Sequence, residues 1–250
     1  MIPSYKIKCE IYIFTATLVA EIIGTIGGFG SSVFFVPLGN FYFDFYSVLG
    51  LTAIFHLSSN LSKIFLFKKG LNKRLLMYIG FPSVVFVILG GVISKFRNTY
   101  YLEIFLGVFL VDLNTFFNKS NIVFNAKNRN AIIGGSLSGF SAGLLGTGGA
   151  IHGLTMAAFN LEKKRFHRNM AFIDFMIEFS RTFVYYNNGY IHKHDLKYIP
   201  FLLVIGLVGS FIGKKILVYI PQSRFRRLSL YFILFIGVSS LIQIFMNGTE

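Results

Sequence analysis

The sequence contains no tryptophan, a single cysteine (Cys9), five prolines and ten acidic residues among 250. One thiol excludes an internal disulfide, and with it a disulfide scaffold or a cysteine-rich metal centre. Charged residues make up 14% of the chain, whereas about a quarter is normal for soluble domains. Hydrophobic residues make up 54%, and the mean hydropathy is +0.64. A chain so short of charge cannot clothe a water-facing surface, so it reads as a polytopic membrane protein. Motifs of soluble enzymes are missing too: there is no P-loop and no H-E-x-x-H, and no enzyme activity is expected. What the chain does have is 24 Lys and Arg and a formal charge of +14. These residues fall in short runs between long apolar stretches rather than in one patch, which argues against a nucleic-acid partner and for membrane-flanking loops.

A bilayer core of about 30 Å takes about 20 apolar residues per helix. Four apolar stretches fill the first half, roughly Ile11 to Phe43, Phe45 to Phe67, Leu75 to Ser94 and Tyr100 to Phe117. After a polar interval from Lys119 to Asn130 four more follow, Ala131 to Leu161, Asn169 to Asn187, Tyr198 to Gly213 and Leu228 to Met246. The leading stretch of each half is too long for one crossing and is broken by glycine, at Gly24-Thr-Ile-Gly-Gly-Phe-Gly-Ser-Ser32 and at Gly143-Leu-Leu-Gly-Thr-Gly-Gly-Ala150. Glycine at this density lowers helix propensity and permits positive φ, so each stretch reads as two half-helices joined by unwound backbone. Lys6 and Lys8 before an apolar run have the look of a secretory leader, but Glu21 stands where cleavage would fall and apolar sequence resumes at once, so the segment reads as retained.

The two glycine segments are in register: residues 24 and 143, 27 and 146, and 30 and 149 are each 119 apart. The same offset joins Gly70 to Gly189, Val85 to Val204, Gly90 to Gly209, Ile93 to Ile212 and Lys95 to Lys214. Constant register over this length marks a duplicated half. If every stretch crosses once, Lys and Arg divide 12 against 11 between the two sides; if each glycine-broken stretch enters and returns on one side, they divide 17 against 6. The second arrangement obeys the positive-inside rule and gives each half three crossings, which turns the second copy upside down relative to the first. Letting only the first stretch cross fully gives 19 against 4, and the symmetry of the repeat alone opposes that version. The expected fold is an all-α membrane protein of two inverted repeats, each a glycine-broken re-entrant helix pair plus three transmembrane helices. It forms one integral membrane domain over 1–250, with repeat one at 11–118, a linker at 119–130 and repeat two at 131–246.

Gly24-Thr-Ile-Gly-Gly-Phe-Gly-Ser-Ser-Val-Phe-Phe-Val-Pro-Leu38 and Ser138-Gly-Phe-Ser-Ala-Gly-Leu-Leu-Gly-Thr-Gly-Gly-Ala150 resemble the duplicated glycine-rich signature of the sulfite exporter TauE/SafE family of membrane transporters. The likeness runs from about Ile11 to Ile244. The family's Val-Pro-Leu stands as Val36-Pro37-Leu38, but the second copy has Thr155-Met156-Ala157; its Thr-Ser appears only as Thr52-Ala53, and the second copy has Ala171-Phe172. What the resemblance implies is transport of small sulfur-containing or organic anions, such as sulfite or sulfonates, across the cytoplasmic membrane.

Unwound backbone at bilayer depth must find hydrogen-bond partners that lipid does not offer. Half-helices beginning near Gly30 to Ser32 and near Gly148 to Ala150 would aim free amides and a positive dipole end at one spot, where an anion is the natural guest. Gly27, Gly28, Gly30, Ser31, Ser32, Gly146, Thr147, Gly148 and Gly149 are therefore candidate substrate-binding residues, joined by His152 just beyond the second break. Gly135, Gly139 and Gly143 have instead the spacing of helix-packing glycines. Asp174, Glu178 and Arg181 share one helix face, as do His56, Asn60 and Lys63. The first three are candidates for ion coupling, because intramembrane charge is functional by default. His56 and Asn60 are read either as substrate ligands or as helix-to-helix hydrogen bonds. Lys63 is expected to snorkel to the surface, Glu21 and Asp112 are weaker candidates, and His192 and His194 in a polar loop are not read as metal ligands.

The function expected is secondary transport of a small anion, by export and with proton coupling, with membrane lipid as the surroundings and neither cofactor nor metal. The competing readings are a non-transporting membrane assembly subunit, whose glycines merely pack helices, and an anion channel. Oligomeric state is not legible.

Overall fold

A computed structural model of the chain describes residues 3–28, 30–68, 70–119, 126–219 and most of 231–246. All regular structure among the described residues is helical: α1 (Pro3–Gly27), α2 (Ser32–Gly39), α3 (Phe45–Leu66), α4 (Lys73–Leu75), a π-helical turn (Leu76–Gly80), α5 (Phe81–Ser94), α6 (Thr99–Lys119), α7 (Asn128–Leu145), α8 (Gly149–Ala157), α9 (Lys163–Asn188), a 3-10 turn (Lys193–Tyr198) and α10 (Ile199–Leu217). Local chemistry sets the boundaries. Asp44 caps α3 by accepting the Ser47 amide at 3.0 Å, and the Asn72 side chain accepts the Arg74 amide at 3.1 Å to start α4, each satisfying a donor that a helix start leaves free. Pro82 has no amide to donate and would crowd the carbonyl four residues back. The wide π turn just before it relieves that conflict, and Lys73–Ser94 runs on as a single rod.

Among the described residues, three spans are long and apolar enough to cross a bilayer: Phe45–Leu66, Lys73–Ser94 and Lys193–Leu217. The expected first crossing of the second repeat, α9, is not among them. It opens on Lys163, Lys164 and Arg165 and carries Asp174, Glu178 and Arg181, so its polar side must be covered by protein rather than lipid. In agreement, Glu178 and Arg181 are buried.

Close backbone packing joins α5 to α7. A methyl group added at Gly135, Gly139 or Gly143 would strike the carbonyls of Ile79, Ser83 and Val87 respectively, so these glycines exist for close backbone approach, as their spacing predicts. Ser83 Oγ exploits that proximity and donates to the Gly135 carbonyl at 2.9 Å. A second core of Phe34, Phe35, Phe45, Leu49, Leu51 and Phe55 fills the space between α2 and α3, with Leu145 and Ala150 from the second half.

Contacts at the helix ends gather into two groups. In one, Arg74 donates to Asn128 at 2.8 Å, the Asn72 amide donates to Asn169 at 2.7 Å, and Phe67 stacks on His167. In the other, Phe14 and Phe43 both flank the Tyr198 ring, and Tyr46 stacks on Tyr190 and donates to the Arg97 carbonyl at 2.7 Å. Phe14, midway along α1 and near the start of its apolar part (Tyr12–Gly27), and Phe43 just after α2 thus lie at the same level of the molecule. Similarly, Gly134 near the start of α7 lies under Thr155 near the end of α8.

Candidate functional site

The two glycine segments break the helices where the sequence predicts. α1 stops at Gly27, and the chain turns through Gly28 (φ +68°) and Gly30 (φ +78°) before α2 starts at Ser32; α7 stops at Gly146 (φ +77°) before α8 starts at Gly149. These left-handed backbones are costly for residues with a Cβ. The structure then brings the breaks side by side. Ser32 Oγ lies 3.3 Å from Thr147 Oγ1, and a Cβ on Gly30 would lie 3.8 Å from the Gly149 Cα. Ser138 and Ser141 of α7 donate to the Gly148 and Thr147 carbonyls at 2.9 and 2.5 Å. The Thr147 and Gly148 carbonyls of the second break are therefore satisfied from within, and the earliest amides of α2 and α8 are donors left over by helix geometry. Ser31, Ser32 and Thr147 are all buried.

A buried charge sits beside the first break. Glu21 Oε1 receives Lys63 Nζ at 2.8 Å, Ser59 Oγ at 2.6 Å, Ser210 Oγ at 2.8 Å and Thr25 Oγ1 at 3.0 Å, and Oε2 accepts from Ser31 Oγ. Two sequence expectations are corrected here. Lys63 does not snorkel: it is 7% exposed and its ammonium is committed to Glu21, because a buried carboxylate attracts a cation more strongly than the distant surface does. Glu21 is not a marginal acid but the centre of the network. Its signal was legible, since a lone acid inside an apolar run has to be paired; its partners Ser59, Thr25 and Ser210 are common residues with no signature.

Ser31 links this network to a second one. Having given its only proton to Glu21, its hydroxyl accepts from His56 Nε2 at 3.1 Å, which leaves His56 Nδ1 facing Glu178 Oε1 at 3.7 Å. A bare imidazole nitrogen and a carboxylate repel, so one added proton makes this contact attractive. The other oxygen of Glu178 pairs with Arg181 Nη2 at 2.5 Å, and Arg181 Nη1 donates to the Ala142 carbonyl at 3.1 Å, beside the second break. His56, placed by the sequence on one helix face, and Glu178 and Arg181, placed on another, thus form one chain, with Asn60 buried a turn from His56. Asp174 is held apart from it: it pairs with His152 Nδ1 at 2.9 Å, and His152 Nε2 is buried with no hydrogen-bond partner. Asp112 lies exposed on α6. An apolar groove lined by Ile88, Val92, Phe179 and Phe183 lies outside this cluster and shares none of its residues.

Among the described residues, helices long and apolar enough to cross a bilayer accompany paired helix breaks with hydroxyls and buried charges between them, as an integral membrane protein would have. The chain matches the family model described as sulfite exporter TauE/SafE over residues 13–240 and belongs to that family. No curated protein and no solved structure matches it.

Proposed function

We propose that the protein is a secondary transporter moving a small anion, sulfite, a sulfonate or a related organic anion, across the cytoplasmic membrane by alternating access. The observation that carries this reading is the meeting of the two breaks at Ser32 and Thr147, 3.3 Å apart. Backbone amides and hydroxyls from two half-helices then converge on one spot, which favours negative charge. Binding would use Gly27, Gly28, Gly30, Ser31 and Ser32 from the first break, and Gly146, Thr147, Gly148, Gly149 and His152 from the second, with His56 and Asn60 alongside.

The architecture we infer is the inverted repeat with re-entrant pairs, repeat one over 11–118 and repeat two over 131–246. It is supported by Phe14 and Phe43 flanking one ring, by Thr155 lying over Gly134, and by breaks that recur 119 residues apart. Proton coupling is supported by the His56–Glu178 contact, which needs a proton to be favourable, and by the His152–Asp174 pair. In this mechanism anion release and deprotonation are linked through Ser31, which touches both Glu21 and His56. The test is flux in proteoliposomes loaded with sulfite or a sulfonate, with and without an imposed pH gradient. Substrate movement accelerated by the gradient is expected; no flux of any anion overturns the proposal.

A further inference from the structure

The end of the molecule that carries Phe43 and Tyr198 holds a cluster that the transport reading does not use. Asp44, His192 and His194 each offer a ligand atom, and the three atoms lie within 4.8 Å of one another. Asp195 borders the group: its Oδ2 is 3.3 Å from His192 Nδ1 and its Oδ1 is 3.3 Å from His194 Nε2. Asp195 is 1% exposed, and Oδ1 has no hydrogen-bond partner, a costly state for a buried carboxylate oxygen. The Ser47 hydroxyl lies 2.7 Å from both His192 Nδ1 and Asp195 Oδ2, and the two imidazole rings stack at 5.2 Å and 6°.

We propose that Asp44, His192, His194 and Asp195 form a divalent transition-metal site, with zinc the fitting ion. Two imidazoles and two carboxylates supply the nitrogen and oxygen ligands that zinc accepts in tetrahedral geometry. Two negative charges balance the ion, and the unsatisfied oxygen of Asp195 gains the partner it lacks. Tetrahedral ligation at about 2.0–2.1 Å from the metal requires ligand atoms closer together than they stand. The movement falls on side chains free to make it, since His192 and His194 are 38% and 68% exposed. Ser47 would then hold Asp195 and His192 in place from behind, the outer-shell role that orients metal ligands. The ligands come from chain segments some 150 residues apart, the corner before α3 and the turn before α10, so a bound ion ties the two halves together at this end.

Zinc titration of the full chain in detergent, without a polyhistidine tag and after chelator treatment, tests the site. Calorimetry and metal analysis on the wild type are expected to give one zinc per chain. Binding should weaken at least about tenfold in Asp44→Asn and disappear in His192→Ala/His194→Ala. His194 is mostly exposed, so a His194→Ala single variant keeps its fold and must also bind more weakly. Calcium is expected not to compete, because it takes oxygen ligands. Absence of stoichiometric zinc in the wild type, equal binding in the histidine variants, or displacement by calcium would each overturn the site.

Discussion

The Glu21–Lys63 pair gives the sharpest energetic prediction. Both side chains are buried, at 2.8 Å, but they are not equivalent. With Lys63→Met the Glu21 carboxylate keeps four hydroxyl donors, Ser31, Thr25, Ser59 and Ser210. With Glu21→Gln the Lys63 ammonium keeps no carboxylate. Breaking a buried pair costs about 3–5 kcal/mol, and a hydrogen bond to a charged group is worth about 1.5–3 kcal/mol. Lys63→Met should therefore fall at the lower end of that range, near 3 kcal/mol, and Glu21→Gln at the upper end, near 5 kcal/mol. Removing both charges leaves no unpaired ion, so the double variant should be destabilised by at least about 2 kcal/mol less than the sum of the two singles. Equilibrium unfolding in mixed micelles, with SDS as denaturant, measures all three variants. Additive effects, or singles that each cost under about 1 kcal/mol, would refute the reasoning that this is a compensated buried pair.

Other substitutions separate packing from transport. Gly139→Val drives a side chain into the Ser83 backbone and should cost about 3 kcal/mol or more, seen as loss of folded protein on size-exclusion chromatography. Gly30→Ala has room for its methyl but keeps φ at +78°, so about 1–2 kcal/mol of strain is expected, with flux falling more than folded yield. Glu178→Gln removes the carboxylate facing His56 and should abolish the acceleration of flux by a pH gradient while leaving protein yield measurable; unchanged gradient dependence would take Glu178 out of the coupling path. Ser31→Ala breaks the link between Glu21 and His56 and should lower flux in the same assay.

The helix breaks and packing glycines were readable because glycine spacing reports backbone geometry directly. Gly28, Gly30 and Gly146 hold left-handed backbone, and Gly135, Gly139 and Gly143 hold the α5 contact. The joining of His56 to Glu178 was not readable. Each sat on a plausible helix face, but helix rotation and the pairing of α3 with α9 are set by the whole core. Lys63 was misplaced for a related reason: snorkelling is the rule for a lysine near an apolar span's end, and only the buried Glu21 beside it reverses the balance. The cluster of Asp44 with His192, His194 and Asp195 was not readable from the i, i+2 histidines because Asp44 comes from the other half of the chain.

The central claim is that the two breaks face each other where the anion passes. It is tested by introducing Ser32→Cys and Thr147→Cys in a Cys9→Ser background, which leaves no other thiol, and following sulfite flux in proteoliposomes before oxidation, after oxidation and after reduction. With the native side-chain oxygens 3.3 Å apart, a disulfide is within reach of the two cysteines. Oxidation is expected to join them and stop flux, and reduction to restore it. Failure of the disulfide to form, or undiminished flux once it has formed, would contradict the account.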